Sequence, residues 1–112
     1  MSLLQTMTIM RTPKVITQSA KGEDCTLNIS GVCNYDPETT VYCHFPDGRG
    51  GSNRLTGPLH GGYGCYSCHQ TIDGQNDITV SKVDMEFYLR RSMNRTINRL
   101  IEKGLITVKG LK

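Results

Sequence analysis

Five cysteines and three histidines are the residues of this chain best suited to chemistry. They run Cys25-x7-Cys33, Cys43-His44, His60, then Cys65-Tyr-Ser-Cys68-His69. Structural zinc takes four thiolate or imidazole ligands in a tetrahedron, commonly as two separated chelating pairs. Cys65 and Cys68, spaced C-x2-C, form one such pair. Cys25 and Cys33 can form the other from opposite ends of a tight hairpin, leaving Cys43 as a packed thiol or as a substitute for either. An odd number of thiols argues against a disulfide framework and for a reducing, cytoplasmic setting. Cys65 to His69 also spells the C-x-x-C-H attachment motif of c-type haem. That chemistry occurs outside the cytoplasm and would leave three cysteines unexplained, so no haem is expected.

His44 and His69 frame the C-x2-C pair. A histidine at a strand end, an irregular loop, then a metal-anchored helix carrying a second histidine suits hydrolysis. One imidazole deprotonates water while the other holds a divalent cation that neutralises charge on a phosphate oxygen. The bland alternative is two hydrogen-bonded histidines beside a purely structural zinc.

The elements that must position these groups are few. The chain has 112 residues, 37% of them hydrophobic, 6% aromatic and none Trp. A single domain with so lean a core is expected to need a staple, and metal is the one its residues offer. No apolar run reaches the roughly 20 residues that span a bilayer, so no membrane association is expected. The opening stretch lacks the basic n-region of a secretory signal.

Residues 1–22 read as an arm broken by Pro13, with short strands at 7–10 and 14–17. Residues 23–112 read as the domain. Within it, 25–33 alternates around a Ser30-Gly31 turn and predicts a hairpin. Thr39 to Cys43 predicts a strand that delivers His44 at its end. Seven of the twelve glycines lie between Gly48 and Gly64, a density that predicts loop and close backbone approach to a ligand. Ser81, with Asp84 three residues on, opens a helix. Met85, Leu89, Met93, Ile97, Leu100 and Ile101 then keep its period, and Gly104 stops it. Leu105 to Val108 predicts a short closing strand.

Charge is uneven. Residues 81–112 carry eight Lys/Arg against three Asp/Glu, whereas residues 1–80 carry five against seven. Arg91, Arg95 and Arg99 recur every fourth residue as one basic stripe, which suits an anionic partner such as nucleic acid or, more simply, a solvated helix face.

The order of a Cys pair, a strand ending in His44, a loop, and Cys65-Tyr-Ser-Cys68-His69 opening a helix resembles the HNH, or ββα-metal, nuclease superfamily. More closely, Gly31-Val-Cys-Asn-Tyr-Asp-Pro-Glu-Thr-Thr40 before His44, with Cys65 to His69 and Asp73 after it, resembles the YbcO-like putative nuclease family of phages and prophages. The likeness runs from about Lys21 into the C-terminal helix. It implies an α+β fold: a small zinc-stapled ββα-metal (HNH-like) domain with a β-hairpin, a Gly-rich loop and a C-terminal basic helix. It also implies a metal-dependent endonuclease acting on DNA phosphodiesters in phage recombination or processing.

By that resemblance His44 is the general base and His69 a ligand of catalytic Mg²⁺ or Mn²⁺, with zinc on the four cysteines structural and closed. His60 lies at the expected distance before Cys65 for the middle residue of the motif, with Asn53 as fallback. Asp73 completes or orients the metal site, and Asp47 is a weaker candidate carboxylate. Many HNH proteins carry Asp immediately before the general-base His; Cys43 stands there in this chain. Arg49, Arg54, Arg91, Arg95 and Arg99 would hold the DNA backbone. A recombination protein is an implied partner, and a non-catalytic, zinc-stapled nucleic-acid-binding module is the alternative.

Overall fold

The computed structural model describes residues 11–46 and 57–111. Arg49, Arg54, Asp47 and Asn53, and the strand expected at 7–10, lie outside the described residues. The rest forms a small α+β unit: a two-stranded antiparallel hairpin with helices against it.

The first element corrects the strand expected at 14–17. Val15, Ile16 and Thr17 are β-branched and favour a strand locally, yet Lys14–Gln18 forms a short helix, α1. The Pro13 carbonyl accepts from the amides of Ile16 and Thr17 at 2.9 and 3.2 Å, which closes the turn. Tertiary burial selects this shape, because it puts Ile16 and Ala20 into a cluster with Tyr42, Tyr63 and Leu100.

The hairpin expected at 25–33 is also absent. Asn28 and Gly31 take positive φ of 44° and 75°, and the amides of Val32 and Cys33 both bond to the Ile29 carbonyl. These bends curl the segment into a knuckle with both cysteine side chains on its inside. A 3₁₀ turn, Pro37–Thr39, follows, capped by Asp36.

The strand predicted before His44 is present as β1, Val41–His44. Its partner β2 is Gly61–Gly64, inside the segment whose glycine density predicted loop. Pairing runs Val41 to Gly64, Tyr42 to Tyr63, Cys43 to Gly62 and His44 to Gly61. Space explains why glycines form this strand. A Cβ on Gly62 would collide with Ser92 Oγ of the long helix, and one on Gly64 would lie 2.7 Å from Leu27 Cδ1 and 2.8 Å from Cys43 Sγ. The strand therefore carries glycine where its neighbours reach the backbone itself.

Helix α2, Tyr66–Ile72, is capped by a cysteine: Cys65 Sγ accepts from the Cys68 amide at 3.4 Å. The long helix α3, Lys82–Glu102, starts as predicted, with Ser81 Oγ accepting from the Asp84 amide at 3.1 Å. It ends in a Schellman motif, Leu105 N–H to Leu100 O and Gly104 N–H to Ile101 O, each 2.9 Å, with Gly104 at φ 72°. That turn replaces the strand expected at Leu105 to Val108, and Leu105 and Ile106 instead cover the second cluster.

The core has two parts. Cys25, Leu27, Ile29, Cys43, Phe45, Cys65, Cys68 and Leu89 form the larger cluster, and α3 reaches both, through Leu89 and Leu100. Where α3 crosses β2, hydroxyls replace methyls. Thr26 Oγ1 meets Ser92 Oγ at 2.6 Å and Thr96 Oγ1 at 2.9 Å, and Thr96 Oγ1 accepts from the Tyr63 amide at 3.0 Å. No described helix is long and apolar enough to cross a membrane.

Candidate functional site

The knuckle brings Cys25 and Cys33 to Cys65 and Cys68 at the start of α2. All four Sγ atoms lie within 4.8 Å of one another, and Cys33 and Cys65 are 3.9 Å apart. Four sulfurs about 2.3 Å from a tetrahedral zinc would be separated by roughly 3.8 Å, so this set could hold a metal ion and is consistent with zinc.

The surroundings suit thiolates. The Asn28 amide donates to Cys25 Sγ and the Asn34 amide to Cys65 Sγ, both at 3.4 Å, while Asn28 Nδ2 approaches Cys33 Sγ at 3.6 Å. Such donors orient metal-bound sulfurs and spread their charge. A hydrogen bond from Cys68 draws the Cys25 thiol down to about 5. The same contact pushes Cys68 upward, and burial raises Cys33. One thiol thus ionises at the others' expense, a conflict that a dication resolves.

Cys43 stays apart from the quartet. It is fully buried between Leu27 and β2, and desolvation pushes its thiol well above the usual range. In that form it is a packed apolar group.

His44, at the end of β1, stacks edge-on against Tyr42 with ring centroids 5.4 Å apart. Its Nε2 lies 3.1 Å from Thr12 Oγ1, and Thr12 Oγ1 donates to the Pro58 carbonyl at 2.9 Å. Burial raises the Tyr42 phenol to about 12, so its hydroxyl keeps its proton and donates to the same carbonyl at 3.5 Å. Thr12 was not a sequence candidate: its partner is 32 residues away, a separation no local pattern reveals.

His69 directly follows Cys68 on α2, and its Nε2 sits 3.0 Å from Asp73 Oδ2 one turn on. No third His, Cys, Asp or Glu gathers with this pair among the described residues. His60 lies just before β2, with Nε2 3.2 Å from the Pro46 carbonyl.

The arginine stripe has partners within the molecule. Arg91 reaches from α3 to the carbonyls of Leu27 and Asn28 at 2.9 and 3.2 Å, and Arg95 donates to Asn28 Oδ1 at 3.1 Å. Arg99 grips both Glu23 oxygens and also pairs with Glu102 at 3.3 Å. The first two arginines thus clamp the knuckle onto α3, and only Arg99 is charge-neutralised among the described residues.

The chain matches the family model described as "Putative nuclease YbcO" over residues 14–105. Two relatives of that description, one from Escherichia coli K12 and one from Enterobacteria phage 82, are each 36% identical over 92 residues. The match covers 81% of this chain and 95% of each relative. A solved structure described as that of "a putative bacteriophage protein" from E. coli K-12 MG1655 superposes with a TM-score of 0.61 at 31% identity. That match covers 79% of this chain and 98% of the other.

Proposed function

The chain belongs to the family described as "Putative nuclease YbcO", and from that premise we propose that it is an HNH-like, metal-dependent endonuclease that hydrolyses DNA phosphodiester bonds. The observation that carries this reading is the chain order β1, β2, α2. His44 closes the first strand, and His69 follows a cysteine pair at the opening of the helix. The domain proposed to do this work spans 23–112, with 1–22 as an arm whose α1 docks on it.

His44 acts as general base: a water gives its proton to the imidazole as its oxygen bonds to phosphorus, in line with the departing 3′-oxygen. His69 is the proposed protein ligand of the catalytic ion, and its 3.0 Å contact makes Asp73 the carboxylate that orients it. An imidazole with a neighbouring carboxylate suits Mg²⁺ or Mn²⁺ completed by waters and substrate oxygens. When bound, the ion supplies charge neutralisation at the scissile phosphate and the leaving oxygen. Zinc on Cys25, Cys33, Cys65 and Cys68 is structural, since four protein ligands leave no open position. His60 lies at the same end of the hairpin as His44, next to Gly61 that pairs with it, and its Nε2 meets the Pro46 carbonyl.

Arg91 and Arg95 bond to neutral oxygens, so their charge is not cancelled and still attracts phosphate. With Arg49 and Arg54 from the 47–56 segment they are the proposed backbone contacts, and Arg99 joins them only by exchanging Glu23 and Glu102 for phosphate. Such contacts position DNA without reading its sequence. A role in phage recombination, with a recombination protein delivering the enzyme, fits the occurrence of a relative in phage 82.

The test is plasmid cleavage by zinc-loaded protein with added Mg²⁺ or Mn²⁺, comparing the parent with His44→Ala. Divalent-dependent nicking, lost in the variant, is the expected result. Equal cleavage by both removes His44 from the mechanism. The second reading, a zinc-stapled DNA-binding module, is favoured by one feature: Cys43, where many HNH proteins carry a metal-binding Asp, is buried and protonated. It predicts salt-sensitive DNA binding and no cleavage in the parent.

A further inference from the structure

We propose that Thr12 is a positioning residue for His44, fixing which ring nitrogen carries the proton; this rests on reading His44 as the general base. The Pro58 carbonyl can only accept, so at 2.9 Å the single hydroxyl proton of Thr12 belongs to that contact. The Thr12 oxygen must then accept at its 3.1 Å contact with His44 Nε2. The ring nitrogen facing Thr12 is therefore Nε2–H, and in neutral imidazole the basic nitrogen is Nδ1. Reversing the hydroxyl would set two acceptors against each other at Pro58.

The relay Nε2–H to Oγ1–H to O=C also favours the step His44 performs. When Nδ1 takes a proton, the Nε2–H bond becomes charge-assisted and shortens, and the aligned hydroxyl dipole strengthens it further. Pro13 restricts Thr12 to extended backbone, and α1, anchored by buried Ile16, fixes where that residue leaves the core. Thr12 lies just ahead of the 14–105 stretch matched by the family model. The arm of this chain thereby contributes to the site.

The experiment uses the full, zinc-loaded chain and the variants Thr12→Val and Thr12→Ser. Long-range ¹H–¹⁵N correlation of the His44 ring, at a pH where it is neutral, reads the tautomer directly. The parent and Thr12→Ser should show Nε2–H, and Thr12→Val should show a mixture. A dominant Nδ1–H form in the parent, or a Thr12→Val ring identical to the parent's, overturns the proposal. In cleavage, Thr12→Val should lower kcat about ten- to hundredfold with KM little changed, from loss of one charge-assisted bond, and Thr12→Ser should restore most of it. Parental kcat in Thr12→Val also overturns it. A parent that cleaves nothing while showing Nε2–H and a Thr12-dependent tautomer defeats the nuclease reading and leaves the Thr12 relay standing.

Discussion

Replacing Gly62 by alanine adds one methyl group where β2 lies against α3. In an open strand that change is stabilising by about 0.4–1 kcal/mol, through the unfolded chain. Here the new Cβ would collide with Ser92 Oγ and lie 3.1 Å from both Phe45 Cζ and Thr96 Oγ1. Ser92 has little freedom to yield, because it is fully buried and bonded to Thr26 Oγ1 at 2.6 Å. Turning it away loses a buried hydroxyl bond, about 1 kcal/mol, and residual overpacking adds roughly 1–3 kcal/mol. Set against that gain, the net loss is about 1–3.5 kcal/mol, which lowers Tm by roughly 4–15 °C for a chain of this length. The assay is thermal unfolding followed by circular dichroism at saturating zinc. Ser92→Ala removes the colliding oxygen and should cost about 1 kcal/mol alone. The double variant should therefore be more stable than additivity predicts, by about 1 kcal/mol. A Gly62→Ala protein with parental Tm, or strict additivity in the cycle, would refute the claim that this strand needs glycine for space.

Cys68→Ser should abolish stoichiometric zinc and leave much of the far-UV signal unfolded at room temperature, because metal binding there counts as folding free energy. Elemental analysis and circular dichroism check it, and a fully folded, zinc-free variant would contradict it. Glu23 offers a pH test. The hydrogen bond from Arg99 holds its carboxyl below the usual range despite an opposing effect of burial. A depressed folded value contributes stability above the ordinary carboxylate range, and that stability is lost as pH falls through the depressed value. Glu23→Gln should therefore lower Tm slightly at pH 7, by an amount that shrinks with added salt and vanishes once pH has fallen through the depressed value. A pH-independent difference would assign the effect to packing.

Legibility in the sequence followed the range of the interactions. The start and stop of α3 are written within a few residues, in Ser81, Asp84 and Gly104, and the structure uses all three. Strand β1 and the C-x2-C turn are similarly local, and Cys65 both joins the cysteine quartet and caps the helix. Where burial overrode local preference, the sequence misled. The β-branched run Val15 to Thr17 became a helix because Ile16 had a core to enter, and the glycines of β2 became a strand because Ser92, Leu27 and Cys43 crowd it. Asn28 and Gly31 turned an apparent hairpin into a knuckle through positive φ angles. The stripe of arginines was legible as a stripe, but its partners were not: Arg91 and Leu27 are 64 residues apart.

That same separation orders events during synthesis. All four thiols have left the catalytic centre of the ribosome once Cys68 is made, yet the two arginines that clamp their knuckle, Arg91 and Arg95, follow 23 and 27 residues later in the chain. At about 5–20 residues per second this is a delay of roughly one to five seconds. During that interval a nascent chain can capture a metal ion, while β2 has no α3 to cover it and His44 has no finished scaffold. A product truncated before α3 therefore carries all four cysteines without the clamp that holds their knuckle in register.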